Sequence, residues 1–422
     1  MGYTLAQKII ARTSGRKSVD IGEVVMCEPD LFETIDLVMP HYIKTLKDEG
    51  VTRFRYPDRI IVFADHEVPS QTPQSAMLKK KLKGQLDEMG ITHFYSEGRH
   101  GISHQAIVER GHVLPGMLVT GPDTHIPTLG CVGALAPPLN YEAIQAMATG
   151  ETWLRVPETI RIELSGKPGP GVMSRDIAQW VIAKLSPERC DYRVLEYGGP
   201  ALASLDMDAR MTLCNVAIDV SAKTAVVEPD EVTLAYLRPR TSAVLNPVRS
   251  DPDARYESVF EQDLSELEPM VAAPPSPENV VRISTLAGIK VDQVYIGSCA
   301  GGRLEDLRAA ALVIRGRKVH PRVRMLVIPT SQEIFANAAR EGLLDAFIDA
   351  GAVVNGPSCG PCYGNLAPLV EGDVCIGTGT TNMPGRMGST AASIYLSNAV
   401  TATAAAIAGE IVDPREFFRG RA

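Results

Sequence analysis

Two short stretches decide how this chain is read: GSCAGGR at residues 297–303 and NGPSCGPCYG at residues 355–364. Cys299, Cys359 and Cys362 stand among Gly, Ser and Pro. Such neighbours let a backbone pass close to a bulky group and aim its N–H donors at sulfur. A CxxC pair by itself also serves zinc sites and redox pairs. Three thiolates around a 4Fe-4S cube would leave one iron open, a Lewis acid for a hydroxyl and a carboxylate. With Cys375 as a fourth ligand, the same residues would close a structural zinc site. Spacing leaves both readings open.

Outward from these stretches, strand-like apolar runs alternate with helical patterns. The runs are Ile60 to Ala64, Met117 to Thr120, Ile160 to Leu164, Val294 to Ile296 and Met325 to Ile328, and the helices include Ser75 to Met89 and Ser331 to Glu341. This alternation predicts α/β layers with largely parallel sheets. The run Ala272-Ala273-Pro274-Pro275-Ser276-Pro277 reads as a linker, and a second break is expected near Pro157. Three domains follow, 1–157, 158–268 and 269–422, consistent with about one per ~150 residues.

Seven of the eight histidines fall in the first 125 residues. Three stand in polar strings at the ends of apolar runs or among glycines: Asp65-His66, Gly101-Ile102-Ser103-His104 and Asp123-Thr124-His125. Residues just past a strand's C-terminal end face the crevice where ligands bind in α/β layers. A carboxylate beside an imidazole can orient it and tune it for proton transfer near neutral pH. Each string alone reads as a satisfied loop histidine; three together point to a site.

Composition narrows the classes. Hydrophobic residues make 45% and charged residues 22% of the chain, which excludes disorder. Acidic residues outnumber basic ones 50 to 42, so no global field draws in a phosphate backbone, and nucleic-acid binding is not the expected task. An anionic substrate must then be held by local arginines and a metal. The N-terminal segment puts Leu5, Ile9 and Ile10 on one helical face without the apolar stretch of a signal peptide, and the expected location is the cytoplasm. The uncharged run Met387 to Gly409 is interrupted by Ser and Thr and reads as a buried small-residue helix, not a membrane span. Lys79-Lys80-Lys81 reads as a solvated helix face, and Trp153 and Trp180 as core residues.

GSCAGGRLEDLRAAA, SCGPC, TGTTNMPGRMGS (378–389) and the three histidine strings together resemble the aconitase superfamily. Within it they are most similar to the branch of 3-isopropylmalate dehydratase large subunits and homoaconitases. The likeness runs nearly end to end, through LAQKIIARTSGR, VPETIRIELSGKPGPGV, MTLCNVAID, DLSELEPMVA and IYLSNAVTATAAAIAGEIVD. It implies a three-domain α/β large subunit that lacks the family's swivelling fourth domain, the chain stopping at Ala422. A separate small subunit would supply that domain, with the serine base that takes the carbon-bound proton. It further implies a 4Fe-4S cluster on Cys299, Cys359 and Cys362, with Cys375 no ligand, and a hydro-lyase that dehydrates or isomerises a malate-type 2-hydroxy acid. His66, supported by Asp65, would protonate the departing oxygen. His104 and Asp123 resemble the family's second pair, with His125 beside the metal; Arg386 would hold a substrate carboxylate, and Asn215, Asp219 and Thr124 would line the substrate.

The departures from the family lie at the substrate end. Thr381 replaces an arginine, Ala300-Gly301-Gly302 replaces Thr-Asn-Ser, Asp219 replaces a glutamate, and Glu28 to Phe32 replaces a His-Asp-Gly-Thr loop. A buried carboxylate left unpaired is costly, so a changed substrate is expected, such as 2,3-dimethylmalate, citramalate or homoaconitate, or a hydroxy acid with fewer carboxylates. Alternatively Arg99 or the small subunit compensates and 3-isopropylmalate remains the substrate. Readings of another class are an iron or redox sensor, an RNA-binding apo-protein, and an enzyme using a different metal.

Overall fold

Val294 to Ile296 and Met325 to Val327 are apolar at every position because their strands, Gln293–Ile296 and Arg324–Val327, pair in parallel in the middle of a sheet covered on both faces. They belong to the computed structural model of this chain, which describes residues 2–418; Met1 and residues 419–422, including the chain end at Ala422, lie outside the described residues. The chain forms two compact units. One comprises the residues up to Ser165 with Pro187–Gln262, the other Gly166–Ser186 with everything from Asp263 onward.

In the second unit a seven-stranded sheet has the order Val280–Arg282, Met270–Ala272, Ser393–Leu396, Val374–Gly377, Gln293–Ile296, Arg324–Val327, Val353–Val354. The last five are parallel. From Gln293–Ile296 the chain moves outward to Arg324–Val327 and Val353–Val354, then returns to the other side with Val374–Gly377. A crevice opens at such a reversal, beyond the C-terminal ends of the strands. Val294, Ile296, Leu307, Val327, Phe347, Ile376 and Ala405 share the core on one face. The helix Ser174–Lys184 completes this unit: Gln179 Nε2 donates to the Leu396 carbonyl at 2.6 Å, and Asn398 Nδ2 to Asp176 Oδ2 at 2.6 Å.

Two expectations change here. The Pro-rich run is not a linker but the turn of an antiparallel hairpin, Met270–Ala272 with Val280–Arg282, closed by Ala273 N–H to the Asn279 carbonyl at 2.8 Å. Prolines that fix φ and lack a donor suit a tight turn as well as a spacer. Met387 to Gly409 is not one helix but a loop, the strand Ser393–Leu396 and the helix Ala399–Ala408. Ile394 and Tyr395 favour the strand, and the Asn398 side chain caps the helix by accepting from Thr401 N–H at 2.7 Å.

The first unit holds a parallel sheet of order His93–Tyr95, Ile60–Phe63, Leu31–Ile35, Val119–Thr120. Its strand order also reverses, between Leu31–Ile35 and Val119–Thr120. A second sheet runs Ser258–Asp263, Thr159–Ser165, Val194–Gly198, Thr224–Val227. There Arg161 lies among Glu163, Glu196 and Glu228 at 2.7, 2.7 and 2.8 Å. A third, antiparallel pair, Val24–Cys27 with Thr152–Arg155, turns Leu154 inward, so that Trp153, expected in a core, is half exposed. Among the described residues no helix is long and apolar enough to cross a membrane.

Candidate functional site

The histidine strings of the first unit emerge at the C-terminal ends of its parallel strands. Asp65 and His66 follow Ile60–Phe63, and Asp123 to His125 follow Val119–Thr120. His104 sits in the first turn of the helix Ser103–Glu109. Asp65 ties two strings together: Oδ1 meets His66 Nδ1 at 2.5 Å and Oδ2 accepts from Ser103 N–H at 3.3 Å. His104 lies between two carboxylates, Nδ1 at 2.7 Å from Glu33 and Nε2 at 3.3 Å from Asp123. Asp123 also accepts the His125 backbone N–H at 2.8 Å, and the two imidazoles of His104 and His125 have centroids 6.4 Å apart. Thr124, exposed, has Oγ1 3.3 Å from His125 Nδ1. Asn215, buried, donates to Thr128 Oγ1 at 2.9 Å, and Thr128 in turn donates to the His125 carbonyl at 2.7 Å. Asp219 is half-buried in the turn Val216–Val220 that follows.

Burial and charge set the protonation of this group. Burial works against a charged imidazole at His66, but the adjoining Asp65 carboxylate outweighs it and raises the group to about 9. At His104 burial is likewise overcome, by Glu33 and then Asp123, and the imidazole is held well above its ordinary range. Burial would raise Asp123, yet the His104 charge brings it well below the usual carboxylate value. The surroundings of both imidazoles therefore favour their charged forms, and each has a carboxylate beside it.

The thiols belong to the second unit. Cys299 follows the central strand Gln293–Ile296, at the reversal of strand order; Cys359 immediately precedes, and Cys362 lies within, the single turn Gly360–Tyr363 that follows Val353–Val354. The Cys299 loop is clamped: Thr378 Oγ1 accepts from Gly297 N–H at 2.8 Å and lies 3.0 Å from the Gly301 carbonyl. Ser298 takes a left-handed backbone, φ 70°, with Oγ donating to the Thr378 carbonyl at 2.6 Å. Cys362 Sγ lies 3.4 Å from Thr380 Oγ1, and the Arg386 guanidinium donates to Cys362. Charge at Cys362, Cys359 and Cys299 acts on both Arg386 and the buried Tyr295, so the three thiols converge on one place.

Cys375 is elsewhere. It pairs with Gln293, the first residue of the central strand, whereas Cys299 lies beyond the last. Four residues at ~3.3 Å each put roughly 13 Å between the levels of Gln293 and Gly297, far more than one ion spans. Burial pushes the Cys375 thiol up to about 12. The four-cysteine zinc site is thereby excluded. What remains, three convergent thiols, a half-buried Arg386 guanidinium and a buried Tyr295 hydroxyl whose proton meets no acceptor among the described residues, fits a sulfur-rich group that accepts hydrogen bonds and needs only three protein ligands.

Other expectations are corrected by contacts within the first unit. The stretch Glu28 to Phe32 is structural, with Glu28 2.7 Å from Arg59, Asp30 accepting from Leu118 N–H at 2.7 Å, and Phe32 in the core. The residue just past the strand Leu31–Ile35 is Asp36, pushed up to about 6 by burial and by Asp65. Lys79, expected in solvent, reaches Asp36 at 3.4 Å and Glu97 at 3.3 Å. Glu33 was missed because its partner is 71 residues away. Its signal was present: in LFETI a carboxylate shares a strand face with Leu31 and Ile35.

The chain matches the Aconitase family (aconitate hydratase) at residues 7–288 and 284–409. It is 42% identical over 419 residues to 3-isopropylmalate dehydratase large subunit 1 of Methanopyrus kandleri, covering 99% of this chain and 100% of that protein. It is 41% identical to the probable 3-isopropylmalate dehydratase large subunit of Methanothermobacter thermautotrophicus, covering 98% and 99%. The crystal structure of Thermococcus kodakaraensis aconitase X (holo-form) aligns over 84% of each chain at 11% identity with a TM-score of 0.47. Matched by the family over nearly its whole length, and by relatives of its own length at about two residues in five, this chain belongs to the aconitase family.

Proposed function

We propose that this chain is the large subunit of an iron–sulfur hydro-lyase that removes water from an alkyl-substituted malate and can return it. The observation that carries the reading is the convergence of Cys299, Cys359 and Cys362 without Cys375. When bound, a 4Fe-4S cluster on those thiols would supply a Lewis acid for the leaving hydroxyl. The proton for the departing oxygen comes from His66, which Asp65 keeps charged and oriented. His104, fixed between Glu33 and Asp123, acts as a standing positive charge, and Asp123 sets the backbone at His125. Arg386 offers a planar fork to a substrate carboxylate. Asn215, Asp219 and Thr124 line the substrate, and a small subunit brings the serine base.

The relatives' names support 3-isopropylmalate as the acid. Two features favour a second reading, a different acid such as 2,3-dimethylmalate, citramalate or homoaconitate. Thr381 offers no guanidinium, and a side chain at Gly301 would stand 2.4 Å from Thr378 Cβ, so the polar group of the family pattern has no room there. We further propose three domains, 1–157, 158–268 and 269–422, each built on its own parallel strands with residues 166–186 lent to the third, and a cytoplasmic location. The test is anaerobic reconstitution with iron and sulfide, addition of the small subunit, and assay on a panel of substituted malates. Iron and labile sulfide in equal amounts with turnover of at least one acid are expected. A protein that takes up no cluster, or that turns over no acid and retains RNA as the apo form, overturns the reading. The fastest acid decides between 3-isopropylmalate and its relatives.

A further inference from the structure

Tyr295 occupies the central strand of the seven-stranded sheet with none of its surface exposed. Val294 and Ile296 on either side enter the aliphatic core of one face, while Tyr295 enters the other, with Ile328, Cys362, Met387 and Leu396. Its ring lies back over Gly297: a Cβ there would stand 2.4 Å from a ring carbon and 2.5 Å from the hydroxyl oxygen. The hydroxyl therefore reaches along the strand toward Cys299, and only glycine leaves it room.

Oη makes no hydrogen bond of good geometry. The Ser298 N–H acts on it, but an N–H can serve only the oxygen, so the hydroxyl proton is left without an acceptor among the described residues. Burying that proton unpaired is costly, and phenylalanine would fill the same space without the cost. The charges that act on this hydroxyl are those of Cys362, Cys359 and Cys299.

We propose that Tyr295 is a positioning residue for the cluster, its hydroxyl donating a hydrogen bond to a sulfur of the cube or of one of the three cysteines. This rests on the cluster reading above. A donor to sulfur stabilises the more negative, reduced state and so raises the reduction potential.

The test compares wild type with Tyr295→Phe, as apo-protein and as the anaerobically reconstituted complex with the small subunit. Iron and sulfide are counted first, then the reduced cluster is titrated and read by electron paramagnetic resonance. The expected change is a tenfold shift toward the oxidised form at fixed potential, which is about 59 mV for a one-electron couple, with altered g-values. In the apo-protein the same substitution should leave thermal unfolding unchanged or raise it, because a proton without a partner is removed. Equal potentials and spectra in two loaded proteins overturn the role of Tyr295 and leave the cluster reading standing. An apo variant that unfolds far earlier than the loss of the weak Ser298 N–H contact explains also overturns it, since the hydroxyl proton would then have an acceptor in the protein. Wild type that takes up no cluster overturns both.

Discussion

In the proposed dehydration His66 gives up a proton, and its charge rests chiefly on the adjoining Asp65. With the imidazole raised to about 9 from an ordinary 6.5, its charge, and the stability of its pairing with Asp65, is full below about 6.5 and is lost as pH rises through about 9. An acid that must be protonated should give a rate that holds through neutral pH and falls above about 9. In Asp65→Asn that alkaline limb should move down by more than one pH unit; a pH–rate profile checks it. At His104 the structure adds Glu33. Glu33→Ala leaves a buried imidazolium with one carboxylate fewer, and should destabilise the protein by about 3–5 kcal/mol in denaturant titration. It should also lower the imidazole's titration midpoint as followed by NMR. Residues of this kind divide by sequence distance. Asp65 beside His66 is legible because one loop carries both, whereas Glu33 with His104, and Tyr295 with Cys359 and Cys362, meet only through the sheet.

The strands are what place the chemistry. Parallel pairing sends every C-terminal end to one edge, which is why strings far apart in the chain gather and why Cys375, on the right strand but at its opposite end, is kept away. Cys375→Ala should therefore retain full iron after reconstitution, while alanine at Cys299, Cys359 or Cys362 should each lose it, as an iron assay will read. The segment that carries His125 is seated against the strand Thr224–Val227 through Gly130, where an added Cβ would stand 1.9 Å from the Ala225 carbonyl oxygen. Gly130→Ala should cost about 3 kcal/mol or more, measured by denaturant unfolding. Strands and helices with clean periodicity were legible, including Ile60–Phe63, Thr159–Ser165 and Gln332–Arg340. The proline-rich turn and the run from Met387 were not. Proline marks a reversal and a spacer alike, and a string of small uncharged residues fits a strand and a helix equally until a cap such as Asn398 divides them.

Across the whole chain the net charge of -8 leaves an anionic acid to be held by local cations. Arg386 stands among the thiols with a guanidinium Nε that makes no hydrogen bond among the described residues. Arg386→Lys keeps the charge but loses the planar fork, and should raise KM for the dicarboxylic acid by about tenfold, the effect of ~1.4 kcal/mol, while iron content stays unchanged. Steady-state kinetics of the loaded complex, read beside the iron count, checks both halves.

The helix Ser174–Lys184 has a consequence for how this protein is taken apart. Because Gln179 and Asp176 hold the strand end Leu396 and the helix cap Asn398, the thiol-bearing unit is not one continuous length of chain. A gene divided after Gln262 would encode a fragment with Cys299, Cys359 and Cys362 yet a bare groove where that helix belongs, so autonomy of this half is something no simple truncation there can deliver.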